Sequence, residues 1–300
     1  MDGVRAWPAG WIAAVTILSC AIAPASEAHG LDSAQKALDA SLNGANAVVV
    51  VLDGQDGRTI AAASPERSTR VAETPGSVLK PFFLAAALGQ GKVRAETASP
   101  CRGNLHIAGR NVACTHPRSE TVFDAERALA WSCNEWFARL ALRFTPQEAV
   151  DVLRAYGVGT WMGLTGEQMW GTVRKPATEA ELQLLVLGLD GVKVTPAQLA
   201  RAYFRLGQQL YQFPTVRRGL LGSISYGMAH NAATEAVTIA GKTGTASDPG
   251  EAWTHGWFAG IAERGRARVV VAIFVPRGNG ADAALMAHRF FALWERTTTQ

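Results

Sequence analysis

The chain has 300 residues, 48% hydrophobic and 18% charged, with 13 prolines and a formal net charge of +4. That balance excludes a disordered chain, and the length suffices for one large buried core or two smaller ones. Lysines and arginines are spread along the chain without a basic block, so nucleic acid is not the expected partner.

In chain order, the first signal is export. After Arg5, the uncharged apolar run Trp11–Ala23 (WIAAVTILSCAIA) leads into the small residues APASEA at 23–28, the pattern of a secretory signal peptide. Residues 1–28 are thus predicted to be a leader and 29–300 the functional domain, in the periplasm or on the outer face of the membrane. Two variants stay open. The uncharged stretch Ala6–Ser26 could remain as an anchor, and ILSC, ending at Cys20, resembles a lipoprotein cleavage box.

Residues 46–64, NAVVVVLDGQDGRTIAAAS, predict two strands joined by a turn around Gly54–Gly57. The next stretch, TPGSVLKPF at 74–82, carries candidate chemistry. Pro75 and Gly76 break what precedes, and the apolar run Val78–Leu88 ends at Gly89-Gln90-Gly91, which predicts a buried helix. Pro81 is tolerated only in a first turn, where N–H groups have no intrahelical acceptor, so the helix should start close to Ser77. Residues three apart share a face, which brings the Lys80 amine beside the Ser77 hydroxyl in apolar surroundings that favour a neutral amine. That pair suits an activated nucleophile. The same residues also read as a Ser N-cap followed by a snorkelling lysine.

Cys101 and Cys114 flank a turn-rich segment, CRGNLHIAGRNVAC, which in an exported protein suggests a disulfide closing a small loop. His106 and His116 raise zinc as an alternative, but the order Cys-His-Cys-His fits none of the usual ligand spacings, so no metal is expected. From Asp124 to about Tyr156 the text is helical. Within ALAWSCNEWF, Ser132 and Glu135 form a capping box on paper, with Cys133 as a small buried filler. Thr145-Pro146-Gln147-Glu148 and Thr195-Pro196-Ala197-Gln198 repeat that signature with Pro at the first helical position. Glu179-Ala180-Glu181-Leu182-Gln183 reads as an acidic first turn. Next, IAGKTGTA at 239–246 reads by itself as an edge strand with a protective lysine and a glycine bulge. Strand-like runs at 257–263 and 268–275 follow, and an amphipathic helix around ALMAHRFFALW closes the chain. The expected fold is α+β: an antiparallel sheet built from both chain ends and flanked by helices, with a helical subdomain inserted between them.

Three stretches gain meaning together. Ser77-x-x-Lys80, Ser132-Cys133-Asn134 and Lys242-Thr243-Gly244 stand in the order SxxK, SxN, KTG, and on them the chain resembles a penicillin-binding protein transpeptidase domain, of the superfamily that includes the serine β-lactamases. The resemblance extends to CTHPRSETVFDAERALAWSCNEWF, VTPAQLARAY and AGKTGTASDPGEAWTHGWFAGIA, covering most of residues 45–275. It departs at GLDG (188–191), where a GQG-like stretch is usual, and in lacking the N-terminal pedestal domain of larger relatives.

The resemblance implies that Ser77 attacks the penultimate D-alanine of a peptidoglycan stem peptide with Lys80 as base, and that Ser132 relays the proton to the leaving group. Asn134 would position substrate and Lys80. Lys242 and Thr243 would bind the terminal carboxylate, Gly244 would let substrate lie close to the strand, and the N–H groups of Ser77 and Thr245 would form the oxyanion hole. Implied partners are stem peptides, β-lactam antibiotics and cell-wall synthesis proteins at the membrane; no cofactor is implied. The expected activity is D,D-transpeptidation, with D,D-carboxypeptidation beside it. A β-lactamase using Glu179 as deacylation base, in a stretch resembling that family's ExxLN loop, and a non-catalytic sensor or scaffold are the alternatives. KTGTA and SCN favour the penicillin-binding side. His255 and Trp257, just past KTG, are expected to be structural or pocket-lining, since Lys80 fills the base role.

Overall fold

The computed structural model describes residues 25–160, 171–235, 237–248 and 250–297. The apolar run 11–23, with Cys20, lies outside them; among the described residues no helix is long and apolar enough to cross a membrane.

Helix α1 (Ala25–Leu42) leads into β1 (Val48–Asp53) and β2 (Thr59–Ala63), which pair antiparallel around the predicted turn. The short helix α2 (Pro65–Arg70) follows, then a 3-10 turn at Gly76–Leu79 that runs into α3 (Lys80–Gly89), with Pro81 in its first turn as expected. Four two-residue strands, β3 (Ser99–Pro100), β4 (His106–Ile107), β5 (Arg110–Asn111) and β6 (Val122–Phe123), form two small ladders, β3 with β6 and β4 with β5. Helices α4 (Ala125–Ala130), α5 (Asn134–Ala141) and α6 (Pro146–Ala155) are followed by β7 (Thr172–Val173), α7 (Glu179–Val186), β8 (Val192–Lys193), α8 (Pro196–Gln209) and α9 (Pro214–Ser225). The chain then returns to the main sheet with β9 (Thr238–Ala246), β10 (His255–Arg264) and β11 (Ala267–Val275), and α10 (Gly280–Thr297) closes it.

The order β2-β1-β11-β10-β9 makes a five-stranded antiparallel sheet from both chain ends, with the helical region between them. Both faces are covered, so β1 is a continuous apolar run rather than an alternating one. Because side chains alternate along a strand, Val48, Val50 and Leu52 pack with α3 and α8, while Val49 and Val51 pack with α1 and α10. The capping boxes at Thr145 and Thr195 are both formed. The one at Ser132 is not. Helix α5 starts one residue later, with Cys133 as its uncapped N-cap and Ser132 in the left-handed region at φ 57°. Glu135 faces elsewhere, accepting from the Arg102 N–H at 2.6 Å and pairing with Arg139.

Candidate active site

Ser77 sits on the 3-10 turn before α3 and lines a cleft of about 370 Å³ between the end of β9 and the helical region. Two tight backbone contacts fix that turn. Gly76, at φ 62°, donates its N–H to the Gly188 carbonyl at 2.8 Å, and a Cβ on Gly188 would come within 2.2 Å of Gly76 O. The unusual GLDG stretch therefore keeps its first glycine for backbone packing behind the serine. On the other side a Cβ on Gly244 would lie 2.3 Å from Pro75 O. This glycine is demanded by the protein's own approach to β9.

The segment entering the turn is gripped from the sheet. Trp257 Nε1 donates to Thr74 O at 3.0 Å, and His255 Nε2 lies 2.9 Å from the same oxygen. Both are buried, in the structural role expected of them. The Thr74 hydroxyl bonds to Asp248, which also pairs with Lys193. Burial, with Asp248 next to it, pushes the Glu73 carboxyl up to about 7.

Lys80 is fully buried, and its hydrogen bonds run to the turn that follows α4: Ser132 O at 2.8 Å, Ser132 Oγ at 3.1 Å and Asn134 Oδ1 at 2.6 Å. Its ammonium sits 5.3 Å from the Phe137 ring centre. Burial lowers its pKa from 10.5 to about 8, against the opposing pull of Cys133 and Cys114. An ammonium can donate all three bonds. A neutral amine donates two and accepts the third from the Ser132 hydroxyl, so the same cage holds either form. Among the described residues Lys80 makes no hydrogen bond to Ser77. The left-handed backbone of Ser132 costs on the order of 1–3 kcal/mol, and it turns the carbonyl and the hydroxyl of one residue toward the same amine. Asn134 is fixed in turn, its amide nitrogen donating to Val112 O at 3.3 Å and Ala113 O at 3.1 Å.

Thr243, Gly244 and Thr245 line the cleft along β9, as do Ser132 and Asn134. Lys242 does not. It is fully buried on the face of β9 that it shares with Ala240 and Gly244, toward the Ser77 turn and α3, donates to Thr243 O at 3.1 Å, and is held well below its ordinary pKa by burial and then by Lys80. Thr245 Oγ1 accepts from the Gly280 N–H at 2.8 Å, which leaves its own proton free to point into the cleft. Arg110, Asn111, Thr115 and Ser247 also line the cleft and carried no signal in the sequence. Glu179 is exposed in the first turn of α7, whose N-cap Thr178 accepts from the Glu181 N–H; it is not among the lining residues.

The predicted Cys101–Cys114 disulfide is absent. Both are free thiols with sulfurs 3.5 Å apart, against about 2.05 Å for a bond. The reason is company: Cys133 and His116 share their pocket, with Cys133 Sγ 3.9 Å from Cys114 Sγ and His116 Nε2 3.4 Å from Cys101 Sγ.

A five-stranded antiparallel sheet with a helical insertion, and a cleft between the two, is the architecture of solved transpeptidase domains. The structure matches a peptidoglycan glycosyltransferase from Burkholderia ambifaria with a TM-score of 0.79 at 21% identity, covering 91% of this chain and 96% of that one. The transpeptidase domain of Burkholderia pseudomallei penicillin-binding protein 3 matches with the same TM-score of 0.79, over 90% of this chain and 95% of that one, at 21% identity. The chain belongs to the penicillin-binding protein transpeptidase domain family, whose profile matches residues 47–292. Among curated relatives, the probable peptidoglycan D,D-transpeptidase PenA of Neisseria flavescens is 28% identical over 81% of this chain and 72% of its own length. PenA of Neisseria gonorrhoeae is 25% identical over 80% of this chain, which spans 49% of that relative.

Proposed function

We propose that the protein is an exported peptidoglycan D,D-transpeptidase that works through an acyl-enzyme on Ser77 and is acylated at the same oxygen by β-lactams. The observation that carries this is the buried amine of Lys80, lowered to about 8 and caged by Ser132 and Asn134 one helical turn from a cleft-lining serine. Neutral Lys80 takes the hydroxyl proton as Ser77 Oγ bonds to the carbonyl carbon of the penultimate D-alanine. The charge that develops on the carbonyl oxygen is met by the N–H groups of Ser77 and Thr245. Support for that pairing is the close approach of the Thr245 backbone to Gly76, where a Cβ would lie 3.0 Å from Thr245 N.

As the C–N bond breaks, the proton passes through Ser132 Oγ to the departing D-alanine nitrogen, and the acyl group stays on Ser77. An amine of a second stem then attacks the ester, its proton returns to Ser77 through Lys80, and a cross-link is released; water in its place gives carboxypeptidation. Thr245 offers its hydroxyl to the substrate's terminal carboxylate, and Thr243 does so by turning its proton away from Met228 O, to which it donates at 3.3 Å. That anion would favour the charged form of the buried Lys242. The exposed position of Glu179 removes support from the β-lactamase reading.

The test is intact mass spectrometry during incubation with penicillin. A covalent adduct that maps to Ser77 is expected; an adduct on another residue, or none, refutes the assignment.

A further inference from the structure

Cys101, Cys114, His116 and Cys133 take no part in the chemistry above, yet separate segments deliver them to one point. Their four ligand atoms lie within 4.8 Å of one another. The closest pairs are 3.4 Å (Cys101 Sγ to His116 Nε2), 3.5 Å (Cys101 Sγ to Cys114 Sγ) and 3.9 Å (Cys114 Sγ to Cys133 Sγ). A tetrahedral zinc with Zn–S near 2.3 Å and Zn–N near 2.0 Å holds its ligand atoms about 3.5–3.8 Å apart. We propose that Cys101, Cys114, Cys133 and His116 form a closed Cys3His site for Zn2+, which revises the expectation that no metal is bound.

The ring of His116 is set for this. Its Nδ1 lies 3.1 Å from the Pro117 carbonyl, an acceptor only, so Nδ1 carries the proton and the Nε2 lone pair faces the sulfurs. Phe123 packs on the ring, with centroids 4.5 Å apart. The backbone is pinned at each cysteine: the N–H of Cys101 donates to Thr121 O at 2.8 Å, that of Cys114 to Gly103 O at 3.0 Å, and that of Cys133 to Ala128 O at 2.9 Å. Thiolates with one imidazole select zinc over magnesium or calcium, which take oxygen ligands. Each thiol gives its proton to solvent as its sulfur binds. A cavity of about 430 Å³, whose lining includes Cys101, Cys114 and His116, supplies the entry path.

With four protein ligands the ion has no open position and touches no substrate, so its role is to position. Cys133 stands between Ser132 and Asn134, and Asn134 already bonds to the carbonyls just before Cys114. Zinc would fasten the 101–116 segment to the turn that cages Lys80. This consequence rests on the proposed acylation chemistry; the metal site itself does not.

Elemental analysis and native mass spectrometry of the exported chain, purified without chelator, should find about one zinc per chain, as a closed structural site requires. Cobalt replacement should give thiolate-to-cobalt charge transfer with the intense visible bands of a tetrahedral ion. Cys133→Ala and His116→Ala should each weaken zinc binding by more than about tenfold. Stripping zinc from the wild type should slow penicillin acylation, and adding zinc should restore it. A chain with the mass of a Cys101–Cys114 disulfide, which after reduction gives no cobalt spectrum and takes up no zinc, overturns the site whatever the variants do. Zinc loss that leaves acylation unchanged overturns the positioning role. Stoichiometric zinc on a chain that never acylates would sink the proposed function and leave the site standing.

Discussion

Lys80→Met removes the amine while keeping most of its volume, and it separates two consequences of burying a lysine. Lowering the pKa from 10.5 to about 8 raises the neutral fraction at pH 7 about three-hundredfold, to about a tenth, which is the base that Ser77 needs. The same displacement is a stability statement. The folded value lies below the unfolded one, so the unfolded chain binds more protons between about 8 and 10.5. Burial of the charged amine therefore costs the fold its full penalty, about 3 kcal/mol, below that window, and the penalty is relieved as pH rises through it. Methionine carries no such term. It also leaves Ser132 O and Asn134 Oδ1 without their donor, a pH-independent cost of about 1–3 kcal/mol for each acceptor. Urea unfolding of both proteins from neutral pH to about 10.5 should then show wild-type stability rising by about 3 kcal/mol relative to the mutant. In parallel, acylation by a fluorescent penicillin at neutral pH should fall at least about hundredfold. Equal pH dependence of stability in the two proteins, together with near-normal acylation, refutes the reasoning.

Ser77→Ala should fold and bind no penicillin covalently; label persisting on that variant in denaturing gels counts against the nucleophile. Glu179→Gln should leave the decay of the penicillin adduct unchanged, over minutes or longer, whereas rapid wild-type turnover lost in the variant would make the protein a β-lactamase. Gly244→Ala forces a methyl toward Pro75 O, which is 2.3 Å from the ideal Cβ position, and should destabilise the fold by about 1–3 kcal/mol. An unchanged urea midpoint would show that the 3-10 turn and β9 do not press together.

The sheet strands were legible because apolar runs bounded by turn residues need only local reading, and Pro81 marked the start of α3 correctly. The three motifs named residues that the fold brings around one cleft. What sequence could not carry was depth. Lys242 reads as a site residue from its place in KTG, but nothing in that triplet says that it is fully buried and near enough to Lys80 to feel its charge. Ser132 reads as a helix cap from its spacing to Glu135, but its left-handed backbone belongs to the cage around Lys80, a tertiary demand that overrides local propensity. The cysteines show the same limit. Cys101 and Cys114 look like a pair in the sequence, while Cys133 joins them only because the loop carrying them packs beside the start of α5.

The last strand of the sheet presents a window rather than an open margin. A bare edge invites pairing with any extended chain, but most of β9 is buried, with α9 and the 3-10 turn against it. Among the described residues of β9 and the segment just after it, those that border the cleft are Thr243 to Ser247. That length admits about 13 Å of extended chain, with the nucleophile at one side of the opening. A peptide entering there has few registers to choose from, and a second copy of the protein finds too little strand to zip against. The helices that shield the edge from aggregation are also the frame that measures what it accepts.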